Sequence, residues 1–175
     1  ISRTLMHDAY QGEDQPFKRT MLGDYGAFHD LDVDGARHTA LAVGKNLLKF
    51  IRYDGKVDDV QAPRDVNYGT LSGDGRYALI RRNEILIFSR EHKELHRIQS
   101  PNLTAIEWRD GTDQILTGHL DGTLRVWQAQ TAELIAEVSA HQGLIASIEC
   151  SPDQAFVATA SWDTTVRLTS LDSLN

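Results

Sequence analysis

The chain has 175 residues, 41% of them hydrophobic and 25% charged, with a net charge of −7 and a pI near 5.4. That length supports a good core in one domain or a tightly coupled array, and the acidic balance excludes the basic footprint that a nucleic-acid backbone or an anionic membrane calls for. No apolar run approaches the roughly 20 residues of a membrane span, and the single cysteine, Cys150, has no internal disulfide partner, which fits a reducing, cytoplasmic setting.

Residue 1 is Ile, so the chain is expected to be a piece of a longer polypeptide or a processed product. In chain order, Ile1–Met6 reads as a strand of an earlier unit, Gln11–Gln15 as a polar loop, and Phe17–Leu22 (FKRTML) as a lone fourth strand. Residues 1–25 are thus assigned to the end of a preceding unit or to a closing strand. Four copies of one unit follow, at about 26–62, 63–99, 100–142 and 143–175. Each has a strand ending in a turn, a second strand, a short turn, a third strand with a large residue at its end, and a fourth strand. The first reads AFHDLDV, HTALAV, LLKFI and VDDVQ; the second DVNYGTL, YALIR, EILIF and KELHRIQ.

The third unit holds the clearest signal, QILTGHLDGTLRVW over Gln114–Trp127. β-Branched and aromatic residues favour a pleated backbone, and Asp121-Gly122 supplies the positive-φ residue of a tight hairpin. The fourth repeats it 42 residues later, with Ser161-Trp162-Asp163-Thr164 as the turn. Two landmarks give the period independently. The turns after the first strands, at Asp34, Asp74, Asp110 and Asp153, lie 40, 36 and 43 residues apart; the third-strand ends Phe50, Phe88, Trp127 and Thr169 lie 38, 39 and 42 apart.

A four-stranded antiparallel unit recurring at about 40 residues predicts an all-β β-propeller of about four blades. The residues Gly118–Gln128 and Ile145–Leu168 resemble the WD-repeat family, a likeness that thins toward the N-terminus. In that family a His ahead of the first strand, a Ser or Thr on the second, the turn Asp and the third-strand Trp form a hydrogen-bonded set inside the blade. The resemblance assigns Thr117, Asp121 and Trp127 to this set in the third unit, with the His position near Gln99-Ser100 lost. In the fourth it assigns His141, Thr159 (or Ser161) and Asp163, with Thr169 in place of Trp. Both sets are incomplete, so apolar contact between blades is expected to carry the stability.

The resemblance also implies a non-catalytic interaction scaffold or sensor module. Its partner-binding candidates, on the loops joining second to third strands, are Trp162, His119, Leu120 and Arg82. An open row of four blades leaves an apolar face at each end. Closure as a four-blade ring with Phe17–Leu22, further sequence, or another chain completing the propeller would each cover it.

Other chemistry reads weakly. Asp30, Asp32 and Asp34 resemble half of a calcium loop, as in FG-GAP propellers, but Leu41 stands where an EF-hand places its Glu and His38 where the FG-GAP loop places an Asp. Gly73–Ala78 matches a dinucleotide glycine pattern but lies between strands, without a helix N-terminus. His92 and His96 have zincin-like spacing on a stretch that reads as a strand, where such residues stand about 13 Å apart. No nucleophile elbow occurs. A metal-dependent propeller enzyme is the alternative, with Asp30 and Asp32 as its nearest acidic pair; no cofactor is expected.

Overall fold

In the computed structural model, residues 28–34 and 37–174 are described, and they form four antiparallel sheets that follow one another along the chain as the blades of a β-propeller. Blade 1 comprises β1 (Phe28–Asp34), β2 (Thr39–Gly44), β3 (Leu47–Arg52) and β4 (Val57–Gln61). Blade 2 comprises β5 (Val66–Leu71), β6 (Tyr77–Arg81), β7 (Glu84–Phe88) and β8 (Glu94–Gln99). Blade 3 comprises β9 (Leu103–Arg109), β10 (Gln114–His119), β11 (Thr123–Gln128) and β12 (Glu133–Ser139). Among the described residues blade 4 comprises three strands, β13 (Ile145–Cys150), β14 (Phe156–Ser161) and β15 (Val166–Ser170), and a 3-10 turn at Leu171–Leu174 follows. Ile1–Met6, Gln11–Gln15, Phe17–Leu22 and the Gly35 of the first Asp-Gly turn lie outside the described residues.

Strands within each blade pair in simple up-and-down order. Alternation along them sends one set of side chains toward the preceding blade and the other toward the next. Three apolar clusters result. Leu41, Val43, Leu48 and Phe50 of blade 1 meet Leu71, Tyr77 and Leu79 of blade 2. Ile85 and Ile87 of blade 2 meet Trp108, Ile115 and Trp127 of blade 3. Leu116, Leu124 and Val126 of blade 3 meet Ile145, Ile148 and Val157 of blade 4, with Leu171 and Leu174 closing the outer end. Near-complete burial of residues of this size stabilises each contact by roughly 1.5–3 kcal/mol per side chain.

Polar links reinforce the same interfaces. On the rim that carries the first-to-second-strand turns, Arg37 Nε donates to Gly73 O at 2.8 Å, Arg76 pairs with Asp113 at 2.5 Å, and Arg109 donates to Gln154 O at 3.3 Å. Each arginine thus reaches from one blade to the turn of the next. Arg76 also lies 4.9 Å from the ring centre of Trp108, a cation–π contact.

The acidic pair suspected of metal binding is engaged otherwise. Asp30 Oδ2 accepts from Gly69 N at 2.8 Å; Asp32 Oδ2 accepts from Leu71 N at 2.6 Å and from Thr70 Oγ1 at 3.0 Å. Both carboxylates therefore tie blade 1 to blade 2. Among the described residues, no group of three or more His, Cys, Asp or Glu is placed to hold a metal ion. His92 lies in the turn before β8 at φ 64°, not in the strand the sequence suggested, while His96 is on β8.

Candidate functional site: the rim around Trp162

The turn Leu120–Gly122 joins β10 to β11, and Trp162–Thr165 joins β14 to β15; the connection Ala140–Leu144 runs between them. The position of Gly122, at φ 82°, requires glycine, because a Cβ would also strike the carbonyl of His141. With that side open, Gly122 O accepts from the N–H groups of Ala140 and His141 at 3.1 and 2.9 Å. On the other side Trp162 N donates to Leu144 O at 3.0 Å, and Ser161 Oγ to Gly143 O at 3.0 Å. Both turns are thereby anchored to one connection.

Asp163 locks the second turn. Its Oδ2 accepts from Gln142 N at 2.9 Å and from His141 Nδ1–H at 3.0 Å, and its Oδ1 accepts from Thr165 N and Oγ1 at 2.9 and 2.6 Å. These donors, the Thr165 hydroxyl foremost, hold its carboxyl far below the usual carboxylate range. With Nδ1 donating, His141 Nε2 accepts from the Thr159 hydroxyl at 2.8 Å. Thr159, His141 and Asp163 thus form one chain of hydrogen bonds, ending at the residue that follows Trp162.

Blade 3 carries a related chain by a different route. Trp127 Nε1–H donates to Thr117 Oγ1 at 2.8 Å, and the Thr117 hydroxyl lies 3.0 Å from His119 Nε2. His119 Nδ1–H donates to Pro101 O at 2.9 Å, which fixes the tautomer and leaves Nε2 to accept. Thr117 and Thr159 are equivalent, each paired across the hairpin with an arginine, Arg125 and Arg167. The histidine comes from the connection before the first strand in blade 4 and from the end of the second strand in blade 3.

His119 is therefore corrected: it is fully buried and does not offer its ring on the rim. Burial lowers its pKa, favouring the neutral ring that the two bonds require. Two residues after Thr117 on the same strand, it shares that residue's face, a signal the sequence contained. Asp121 stands apart from the blade 3 chain; its Oδ1 accepts from Thr123 N at 3.0 Å within the turn.

The remaining rim candidates are exposed. Trp162 is 75% exposed and Leu120 55%. Arg82, at φ 56° in the turn between β6 and β7, has a side chain 77% exposed and an ion pair with Asp65 at 2.5 Å. Trp162 and Leu120 flank the Ala140–Leu144 connection, whereas Arg82 belongs to blade 2.

Sheets in this order, tied turn to connection around one rim, define a β-propeller that presents rigid loops. Residues 92–128 and 132–170 match the family model described as "WD domain, G-beta repeat", so over that stretch the chain is similar to the WD-repeat family. It is 33% identical over 72 residues to the eukaryotic translation initiation factor 3 subunit I of Culex quinquefasciatus, a match spanning 41% of this chain and 22% of that protein. Among solved structures, U3-55K superposes with a TM-score of 0.73 at 18% identity, covering 90% of this chain and 53% of that one. The computationally designed Ika4 protein superposes with a TM-score of 0.67 at 18% identity, covering 86% and 95%. At those identities the structures speak to the fold alone.

Proposed function

We propose that the chain acts as a non-catalytic scaffold or sensor module that captures a protein partner on the rim bearing Trp162. The observation that carries this reading is an indole left 75% in water on a turn whose backbone and neighbouring carboxylate are fully engaged. Exposed tryptophan on an immobile support loses little conformational freedom on binding and is a frequent centre of interface energy. Leu120 extends the apolar area, and Arg82 offers a charged contact on blade 2. The lone Cys150 is half-buried, and burial pushes its thiol up to about 12, which suits a structural rather than a reactive role. The net charge of −7 argues for a protein rather than a nucleic acid or an anionic membrane as partner. Among the described residues no helix is long and apolar enough to cross a membrane. A cytoplasmic setting is the natural one for such a module.

Trp162→Ala tests the reading. The variant should melt within about 0.5 kcal/mol of the parent, as exposed substitutions usually do, while losing at least tenfold in partner capture. Unchanged capture would remove Trp162 from the binding surface.

A further inference from the structure

The rim that carries Trp162 changes character on blades 1 and 2. There the connection over residues 62–65 runs from β4 to β5, between the β2–β3 turn of Lys45 and Asn46 and the β6–β7 turn of Arg82 and Asn83. Both turns are tied down. Asn46 O accepts from Ala62 N at 3.2 Å, Asn83 O from Ser100 N at 2.8 Å, and Asn83 Oδ1 from Asn102 N at 3.1 Å. Pro63 stiffens the connection by fixing its own φ. Connection and β6–β7 turn enclose a cleft of about 430 Å³, lined by Arg64, Asp65, Arg81, Arg82, Asn83 and Glu84.

Charge in this cleft is unevenly matched. Arg81 donates to Glu84 Oε2 through Nε at 2.9 Å and through Nη2, and Gln99 Nε2 donates to Glu84 Oε1 at 2.7 Å, so Glu84 is engaged within its own sheet. Asp65 Oδ2 pairs with Arg82 Nη2 at 2.5 Å, which leaves most of the Arg82 fork in water, its side chain 77% exposed. Arg64 and Lys45 are exposed, and among the described residues neither side chain has a hydrogen bond or an ion pair. Lys45, Arg64, Arg81 and Arg82 thus stand against Asp65 and Glu84, on a chain whose net charge is −7. The first strands carry the opposite sign, with Asp30, Asp32, Glu107 and Glu149.

We propose that this cleft receives an acidic segment of the protein partner, its Asp and Glu side chains meeting Arg64, Arg82 and Lys45. Arg64 lies beside two other guanidinium groups without a counter-charge of its own, and an incoming carboxylate relieves that repulsion. The planar fork of arginine matches a carboxylate through paired hydrogen bonds. The patch is confined to one cleft and bordered by acidic first strands, so it fits a short run of carboxylates rather than the long uniform charge of a nucleic acid or a bilayer. The inference rests on the reading that this rim captures a protein, and it names the chemistry of what is captured.

Fluorescence anisotropy on the purified chain, with a labelled peptide of alternating Glu and Asp as the probe, tests it. Binding should weaken as salt rises, and the matching peptide of Gln and Asn should not bind. Arg64→Glu reverses a charge at the contact and should weaken the acidic peptide by about tenfold, Arg82→Gln by less. Both side chains are exposed, so the melting temperatures should stay at the parent's. Lys93→Glu makes the same change of charge in the β7–β8 turn on the opposite rim and is the control. Equal weakening by Arg64→Glu and Lys93→Glu would reduce the attraction to overall charge and overturn the cleft. Tighter binding of oligouridylate RNA or of phosphatidylserine vesicles would overturn it too, as would an acidic peptide that fails to bind at low salt. The probe engages the cleft and not the indole, so these failures would leave capture at Trp162 standing on its own test.

Discussion

Thr117 serves two partners at once, accepting from the Trp127 indole and donating to His119, and neither partner can reach water. Thr117→Val keeps the shape of the side chain and removes both bonds. Orphaned buried groups of this kind cost about 1–3 kcal/mol each, so the urea midpoint should fall accordingly, with Trp127 still buried by fluorescence. Thr117→Ser should retain most of the stability. His119 adds a pH signature. Its folded pKa is lowered, so the unfolded chain takes up a proton that the folded blade resists. That stabilisation is complete above the unfolded value of about 6.5 and is lost as pH falls through the folded one. His119→Gln should therefore show a shallower loss of urea resistance than the parent between pH 7.5 and pH 5.5. The sequence placed His119 in a loop because Leu120, Asp121 and Gly122 follow it. Alternation decides otherwise: it is the last residue of β10, on the buried face.

Neighbouring blades approach closely enough that a single methyl group matters. A Cβ on Gly118 would lie 2.7 Å from Ile145 Cγ2 and 2.8 Å from its Cβ, on the far side of the interface between blades 3 and 4. Gly118→Val should destabilise by about 1–3 kcal/mol through overpacking, and trimming the neighbour with Ile145→Ala in the same chain should cost less than the two changes summed. Denaturant titrations of the single and double variants give that coupling. The strands themselves were legible, because short β-branched and apolar runs between Asp-Gly turns leave little alternative: YALIR, EILIF and VDDVQ became β6, β7 and β4 residue for residue. The links in which a side-chain oxygen of one blade accepts from the backbone of the next, Asp32 from Leu71 N, Thr70 from Trp108 N and Glu107 from Cys150 N, were not. Asp32, Thr70 and Glu107 share a position but not a residue type, so a repeat pattern built on identity passes over them. The carboxylates of Asp30 and Asp32 drew notice as possible ligands for the same reason; only the neighbouring backbone shows what they hold.

Taken across the whole molecule, the first strands bring carboxyls from several blades to one side, and their mutual repulsion has to be absorbed somewhere. Glu107 absorbs it. Burial first, then the charges of Asp32 on blade 1 and Glu149 on blade 4, and of Asp110 nearby, raise its carboxyl from 4.5 to about 8. The folded protein thus keeps Glu107 protonated at neutral pH, while the unfolded chain ionises it. The sign is the reverse of the usual carboxylate: the contribution is fully present below the unfolded value and is lost as pH rises from about 4.5 toward 8, by at most about 1.4 kcal/mol per pH unit. Glu107→Gln retains an oxygen to accept from Cys150 N and carries no charge. Its melting temperature should match the parent's near pH 5 and exceed it by a widening margin toward pH 8.5, as read by calorimetry in buffers of constant ionic strength. A parent and variant that stay parallel across that range would mean that Glu107 ionises freely, and the field of the first strands would then fall on the backbone links of Asp32 and Thr70 alone.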